Sequence, residues 1–127
     1  MQADSKFLMI ISSTSPEDIP EFIKKMFKEC RLSNSKKLIL HFISELSYPE
    51  FIQYARESLL DNIDLGVYIY TWKKEDTEQM LRKVIETKDS MKGLILYCDD
   101  NNKVIIEKIM QKIPNSIKAN IIKDYCK

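Results

Sequence analysis

Four consecutive hydroxyl side chains are the densest group of residues that could bind a ligand. The group is Ser12, Ser13, Thr14 and Ser15. It lies between an apolar run and a helical pattern, and the amino end of a helix binds phosphate through hydroxyl groups and unpaired backbone amides. Pro16 removes one amide donor, and Glu17 and Asp18 already place negative charge there. The same residues are also typical of a helix cap, with Ser15 before a proline, so both interpretations stay open.

A second set of candidate ligand residues lies at the ends of two later apolar runs. The set is Trp72, Tyr97, Cys98, Asp99 and Asp100. The aromatic rings could contact a ligand, and Cys98 could be a nucleophile if a helix amino terminus lowered its thiol pKa. Asp99 and Asp100 would raise that pKa again. Carboxylate pairs also bind Mg²⁺, but adjacent acids in a polar turn are more often solvated caps, so we predict no metal site.

The glycines and the histidine exclude several familiar sites. Gly66 and Gly93 are the two glycines, and each precedes an apolar run, where we expect a turn with positive φ after a helix. Neither GxGxxG nor GxxxxGK[ST] is present. His41 is the one histidine and lies inside the apolar run LILHFI, so we interpret it as a half-buried sheet residue. We assign no catalytic residue and no cofactor from the residues themselves, and whether the protein is an enzyme stays open.

Alternating apolar runs and helical patterns must position these residues. The runs begin near Phe7, Leu38, Val67, Leu94 and Ile117. The segments between them have apolar residues at helical spacing, as in the stripe formed by Ile19, Phe22, Ile23, Met26, Phe27 and Cys30. The runs are apolar on both faces, which is typical of parallel strands covered by helices on both sides. We therefore predict five strands alternating with four helices.

This pattern predicts an α/β fold, a three-layer α/β/α sandwich with a five-stranded parallel sheet. The strand order stays open between the flavodoxin-like order 2-1-3-4-5 and the Rossmann-like order 3-2-1-4-5. Either order places the candidate residues at the carboxyl edge of the sheet, where ligands bind in such folds. The residues after 122 are expected to be a short frayed tail.

Composition limits the class of protein. The 127 residues, with no Pro/Gly/Ser-rich linker, predict a single domain over residues 1–127. With 20 basic and 19 acidic residues the net charge is +1, which makes nucleic-acid binding unlikely as a class. Three cysteines without CxxC spacing favour a reducing compartment, and no apolar run is long enough for a membrane span. We expect a cytoplasmic protein that does not associate with membranes.

Three known folds share parts of this layout. The hydroxyl loop at Ser12–Ser15, with Trp72 and Tyr97 near the ends of later strands, resembles flavodoxins, although the loop lacks their glycine. That resemblance implies a flavin or another phosphate-containing ligand. Residues 37–113 resemble half of a type I periplasmic-binding-like lobe in layout. Response-regulator receiver domains have acidic residues where this chain has Ser12–Ser13 and Thr71–Trp72, so phosphoacceptor chemistry is not supported.

Three functions therefore follow as hypotheses. The first is a non-catalytic interaction or regulatory module that binds a protein partner, and it is the one we favour. The second is a domain that binds a small ligand, flavin or phosphate-containing, through the loops after strands 1, 3 and 4. The third is an enzyme that uses Cys98 or the Asp99–Asp100 pair.

The charges are distributed unevenly along the chain. Residues 45–64 hold five acids against Arg56, and residues 103–127 hold six lysines against two acids.

Overall fold

Strands and helices alternate along the chain. The computed structural model describes residues 6–98, 103–115 and 121–124. The strands are β1 (Phe7–Ser13), β2 (Lys37–Ile43), β3 (Gly66–Trp72), β4 (Met91–Cys98) and β5 (Ile121–Asp124). The helices are α1 (Ile19–Leu32), α2 (Tyr48–Leu60), α3 (Thr77–Glu86) and α4 (Lys103–Lys112). Short 3-10 helices precede α1 and α3 and follow α3. None of the helices in these described ranges is both long and apolar enough to cross a membrane.

The sheet is parallel, and its order is β3-β2-β1-β4-β5. This confirms the α/β class with a parallel sheet. The order is the Rossmann-like one, so the flavodoxin-like order is wrong. The prediction of five strands is only partly right, because four strands of seven or eight residues form the body of the sheet. β5 adds four residues, and its register with β4 shifts at Leu94/Ile95.

Two other predicted boundaries also change. The predicted last strand began at Ile117, whereas β5 begins at Ile121, and residues 116–120 lie outside the described part. Lys123 and Asp124 belong to β5, so the tail predicted after residue 122 is wrong at these two positions.

The strand order divides the apolar residues between two faces of the sheet. The connections from β1 through β2 to β3 place α1 and α2 on one face, and the return to β4 and β5 places α3 and α4 on the other. The α1–α2 side contains Leu8, Ile10, Phe22, Phe27, Leu40, Phe42 and Phe51. The α3–α4 side contains Met9, Ile11, Met80, Val84, Leu96, Ile106 and Ile109. β1 lies between two neighbours and under both layers, so all seven of its residues are buried.

Neither glycine has the positive φ that was expected for it in the turn after a helix. Gly66 is the first residue of β3 and Gly93 lies inside β4, and neither has positive φ. Asn34 has φ 60° in the turn after α1, where a short polar side chain tolerates the left-handed conformation. The prediction that the glycines serve these turns is therefore wrong.

Candidate functional site

The carboxyl edge of the sheet has an open cavity of about 340 Å³. Its lining comes from the segments after β1 and β2, from the segment after β3 and from α4: Ser13, Thr14, Ser15, Pro16, Ile43, Ser44, Glu45, Leu46, Lys74 and Ile105. Parallel strands bring these segments to one edge because all their carboxyl ends point the same way. Three of the predicted ligand residues, Ser13, Thr14 and Ser15, thus lie at this cavity.

Among the four hydroxyl residues, Ser12 and Thr14 contact each other at the end of β1. Ser12 and Ser13 are the last residues of β1, not loop residues, and Ser12, Ser13 and Thr14 are all buried. The Ser12 hydroxyl lies 2.8 Å from the Thr14 hydroxyl and accepts a hydrogen bond from the Thr14 backbone N–H at 3.2 Å. Ser15 precedes the 3-10 helix at Pro16–Asp18 but makes no side-chain cap bond there. The Ser12 side chain is therefore a structural group that closes the end of β1.

A helix cap of the predicted type forms at α2 instead. The Ser47 hydroxyl accepts a hydrogen bond from the Glu50 N–H, and the Glu50 carboxylate accepts one from the Ser47 N–H, which completes a capping box. Pro49 lies in the first turn of the helix. The sequence pattern before α1 is similar, but a 3-10 turn intervenes there and separates Ser15 from the α-helix.

Trp72 belongs to a cluster on the α3–α4 face of the sheet. Its indole N–H donates a hydrogen bond to His41 Nδ1 at 3.0 Å, and the His41 ring stacks on Tyr70 with 5.0 Å between centroids. The Lys83 ammonium lies 5.0 Å from the centre of the Tyr70 ring. Burial, with the nearby charge of Lys83, lowers the pKa of His41 to about 4. His41 is thus a neutral acceptor that fixes the Trp72 side chain, and it is buried rather than half-buried.

Tyr97 lies on the opposite face of the sheet. Its ring packs 4.9 Å from the ring of Phe22, and the Lys25 ammonium lies 5.8 Å from its centre. Two strands, β2 and β1, separate it from β3, which carries Trp72. The two aromatic side chains therefore do not form the two walls of one flavin site, and the ligand geometry implied by the flavodoxin resemblance is not present.

The remaining candidates lie at the end of β4. Cys98 is the last residue of β4 and is paired in register with Ser13, so these two backbone positions are neighbours. Asp99 and Asp100 lie outside the described residues. Of the other thiols, Cys30 is buried and free, its sulfur donates to the Ser35 carbonyl at 3.3 Å, and burial raises its pKa. The described residues contain no group of side chains suited to a metal ion.

Comparison with known proteins identifies the family. The pattern of DUF5751, a family of unknown function, matches residues 10–127. The chain belongs to this family. A solved structure of a hypothetical protein from Sulfolobus tokodaii is similar at 36% sequence identity with a TM-score of 0.89, covering 95% of this chain and 96% of that chain. No curated protein matches the chain.

In this DUF5751 protein, exposed apolar side chains concentrate in one half of the chain. Seven large apolar side chains of the described residues are exposed: Leu32, Tyr48, Tyr54, Leu60, Ile63, Tyr68 and Val104. All but Val104 fall between the end of α1 and the middle of β3. Sequence reasoning did not single out this group, although Leu32, Leu60 and Ile63 lie outside the apolar stripes that it assigned to the helices. Apolar residues that fit no buried stripe are the signal that could have identified them.

Proposed function

We propose that this DUF5751 protein is a non-catalytic interaction module that binds a partner protein through the carboxyl-terminal ends of α1 and α2. The observation that carries the proposal is the exposure of three aliphatic side chains there. Leu32 is 70% exposed, Leu60 is 64% exposed and Ile63 is 80% exposed. We call Leu32, Leu60 and Ile63 the aliphatic patch. Grouped apolar side chains on a surface mark contact sites, because removing them from water is favourable.

Hydrogen bonds at Arg31 hold the segments of the aliphatic patch together. The Arg31 guanidinium donates to Asn62 Oδ1 and lies 3.4 Å from the carboxylate of Asp64. The Asn62 amide in turn donates to the Ser58 carbonyl at 2.7 Å. These contacts join the end of α1 to the turn after α2, so the segments that carry Leu32 and Ile63 are neighbours.

Charge indicates the kind of partner. Asp61 and Asp64 flank Ile63, and residues 45–64 carry five acids against Arg56. Interfaces commonly have an apolar centre and a polar rim, and complementary rim charges steer association. We infer a partner that presents an apolar surface with basic residues at its rim.

The experiment compares two surface charges introduced at matched positions. Leu60→Glu lies in the aliphatic patch, and Val104→Glu replaces an apolar side chain of similar exposure, 60%, on α4. The affinity-tagged chain is used to isolate a stoichiometric partner from the source cell, and the affinity of that purified partner is then measured for both variants. We expect Leu60→Glu to weaken binding by roughly a hundredfold and Val104→Glu to leave it unchanged. Equal affinities for the two variants would contradict the proposal.

A second candidate function is binding of a small phosphate-containing ligand in the cavity at the carboxyl edge. Lys74 favours it, because this exposed cation lines the same cavity as the segment Ser13–Ser15. Calorimetric titration with inorganic phosphate and pyrophosphate tests it, with Lys74→Ala against Lys88→Ala as the control, since the exposed Lys88 precedes β4 and is not part of the cavity lining. Binding that Lys74→Ala abolishes and Lys88→Ala retains supports the ligand function.

We also propose that the protein acts in the cytoplasm. The support is Cys30, a free thiol inside the α1–α2 core. A reducing compartment maintains such a thiol.

A further inference from the structure

β3 is an edge strand whose own residues carry none of the usual protection against pairing. It is first in the strand order, and its seven residues, Gly66–Trp72, contain no charged residue and no proline. Proteins commonly protect edge strands with lysines, prolines, bulges or a very short strand. The other edge strand, β5, has only four residues, including Lys123 and Asp124. The described edge along β3 is therefore long, apolar and regular.

The hydrogen bonds to β2 fix which backbone groups of β3 face outward. The Gly66 N–H donates to the Lys36 carbonyl at 3.0 Å, and the Ser44 N–H donates to the Trp72 carbonyl at 2.9 Å. Backbone groups alternate in direction along a strand, so Gly66, Tyr68, Tyr70 and Trp72 bond toward β2. Val67, Ile69 and Thr71 then direct their N–H and C=O groups away from the sheet. Three evenly spaced residues thus offer both a donor and an acceptor at the edge.

We propose that β3 pairs antiparallel with β3 of a second copy of this chain, with a twofold axis at Ile69. In this register Ile69 faces Ile69 of the second copy, and Val67 faces Thr71. Each of these pairs exchanges two backbone hydrogen bonds, so every outward group of the three residues is satisfied. The inference concerns the edge of β3 and does not depend on the proposed function, although Asp61 and Asp64, used in the charge argument below, also flank Ile63 of the aliphatic patch.

The same register matches side chains across the axis. Tyr68 faces Tyr70 of the second copy, and Gly66 faces Trp72, both as the closer, non-hydrogen-bonded pairs. Tyr68 is 52% exposed, so pairing would remove a large aromatic surface from water. Gly66 has no side chain, and a Cβ built at this position would meet only the Lys36 carbonyl oxygen, at 3.6 Å. Self-complementarity of this kind is what a twofold interface requires.

Charge complementarity favours the antiparallel direction. Asp61 and Asp64 precede β3, whereas Lys73 and Lys74 follow it. Antiparallel pairing brings the acidic end of one copy to the basic end of the other, and parallel pairing would bring like charges together. The existing ion pairs at these ends, Arg31–Asp64 at 3.4 Å and Lys73–Glu45 at 3.7 Å, are solvent-exposed and cost little to rearrange.

Two further acids, Glu75 and Asp76, come after the lysines. They belong to the 3-10 helix Lys74–Asp76, so the chain has left the extended conformation of β3 by that point. Lys73, still extended at φ −83° and ψ 161°, is the charge nearest to the strand. In the antiparallel pair, Lys73 therefore lies closer to the acidic end of the second copy than Glu75 and Asp76 do.

Cysteine cross-linking tests the register. Ile69→Cys places two thiols opposite each other across the axis, whereas Val67→Cys places a thiol on the same face and strand but opposite Thr71. After mild oxidation we expect a disulfide-linked dimer through residue 69 for Ile69→Cys and none through residue 67 for Val67→Cys, with the linked peptides identified by mass spectrometry. Cross-linking of Val67→Cys alone, or of neither variant, would overturn the proposal.

Sedimentation tests the dimer without any new thiol. The unmodified chain is expected to dimerise reversibly at millimolar concentration or below. Tyr68→Glu places a charge in the pairing face and should raise the dimer dissociation constant roughly tenfold or more. Tyr54→Glu is the control, because Tyr54 is 44% exposed on α2 and lies outside β3. A chain that stays monomeric, or a dimer that Tyr54→Glu weakens as much as Tyr68→Glu, would contradict the pairing.

Discussion

β1 and β3 have the same length and a similar apolar character, yet their surroundings differ. The register pairs Ile10 of β1 with Leu40 of β2, and Leu40 with Ile69 of β3. Two isoleucines therefore occupy one row and one face of the sheet, two strands apart. Ile10 is fully buried, whereas Ile69 is only partly buried against the same core. Position in the strand order, rather than residue type, produces this difference.

The comparison separates structural residues from residues that can meet a partner. At β1 both layers of helices and both neighbouring strands enclose every side chain, so even Ser12 and Ser13 are buried. At β3 one edge has no neighbouring strand and Tyr68 remains half exposed. Of these two strands, therefore, only β3 offers apolar residues that are available for association.

The largest expected effect comes from the matched isoleucines. Ile10→Ala should lower the free energy of unfolding by about 3–4 kcal/mol, because it removes fully buried atoms and leaves a cavity. Ile69→Ala should cost about half as much, because water reaches the site and fills part of the space. Urea denaturation at a concentration at which the chain is monomeric measures both. Equal losses would show that β3 is as enclosed as β1.

Lowering the pH should have the next largest effect on stability, through His41, whose ring stacks on the Tyr70 ring of β3. Its pKa is about 4 in the folded chain, below the ordinary 6.5, so the unfolded state binds the proton more readily. Its stabilising contribution is complete above pH 6.5 and is lost as the pH falls toward 4. We expect this contribution to change by about 3 kcal/mol over that range.

The control for the acid prediction is His41→Asn, which keeps a hydrogen-bond acceptor for the Trp72 indole but does not titrate between pH 4 and 7. Comparing urea denaturation of the two chains across this range isolates the histidine. If both chains lost stability in parallel as the pH fell, His41 would not be the group responsible.

Removing a hydroxyl group should change stability by less. The two positions compared again lie in register across the sheet, one on β1 and one on β3. Ser12 pairs in register with Phe42, and Phe42 with Thr71. Ser12→Ala leaves the Thr14 N–H without its acceptor in a buried position and should cost about 1–2 kcal/mol. Thr71→Val on β3 should change stability by less than about 0.5 kcal/mol. Thermal unfolding of the two variants decides whether the Ser12 hydroxyl is structural, and a neutral Ser12→Ala would contradict that role.

The smallest expected effect concerns the cation over the aromatic cluster. Lys83→Ala removes the ammonium 5.0 Å from the Tyr70 ring and should cost roughly 0.5 kcal/mol. It should also raise the pKa of His41, because the Lys83 charge helps to lower it. Titration of the His41 ring by NMR measures that pKa. An unchanged pKa of His41 in this variant would contradict the effect of Lys83 on the cluster.

Patterns among residues that are close along the chain were sufficient to predict the strands and helices of the fold. The helical stripe from Ile19 to Cys30 occurs as expected. The capping box at Ser47 also forms between residues that are close along the chain. The strand end at Ser12 and Ser13 was not predicted, because hydroxyl residues before a proline are equally typical of a loop. Only the pairing of Ser12 with Phe42 and Tyr97 shows that the strand continues through this residue.

The candidate sites depended on strand order, which neighbouring residues do not record. Trp72 and Tyr97 both end apolar runs, but the order β3-β2-β1-β4 and the alternation of side chains place them on opposite faces. The exposure of Leu60 was likewise not predicted, although its place outside the apolar stripe of its helix was a sign that no layer covers it.

The sequence alone determined the α/β class, the parallel sheet and the alternation of strands with helices. It could do so because periodicity and capping act between residues that are close along the chain. The tertiary structure alone decided that β1 is central, that β3 is an edge, that His41 is a buried neutral acceptor and that the aliphatic patch stays in water. These properties depend on which segments become neighbours in space, and burial, electrostatics and edge pairing all arise from those neighbours.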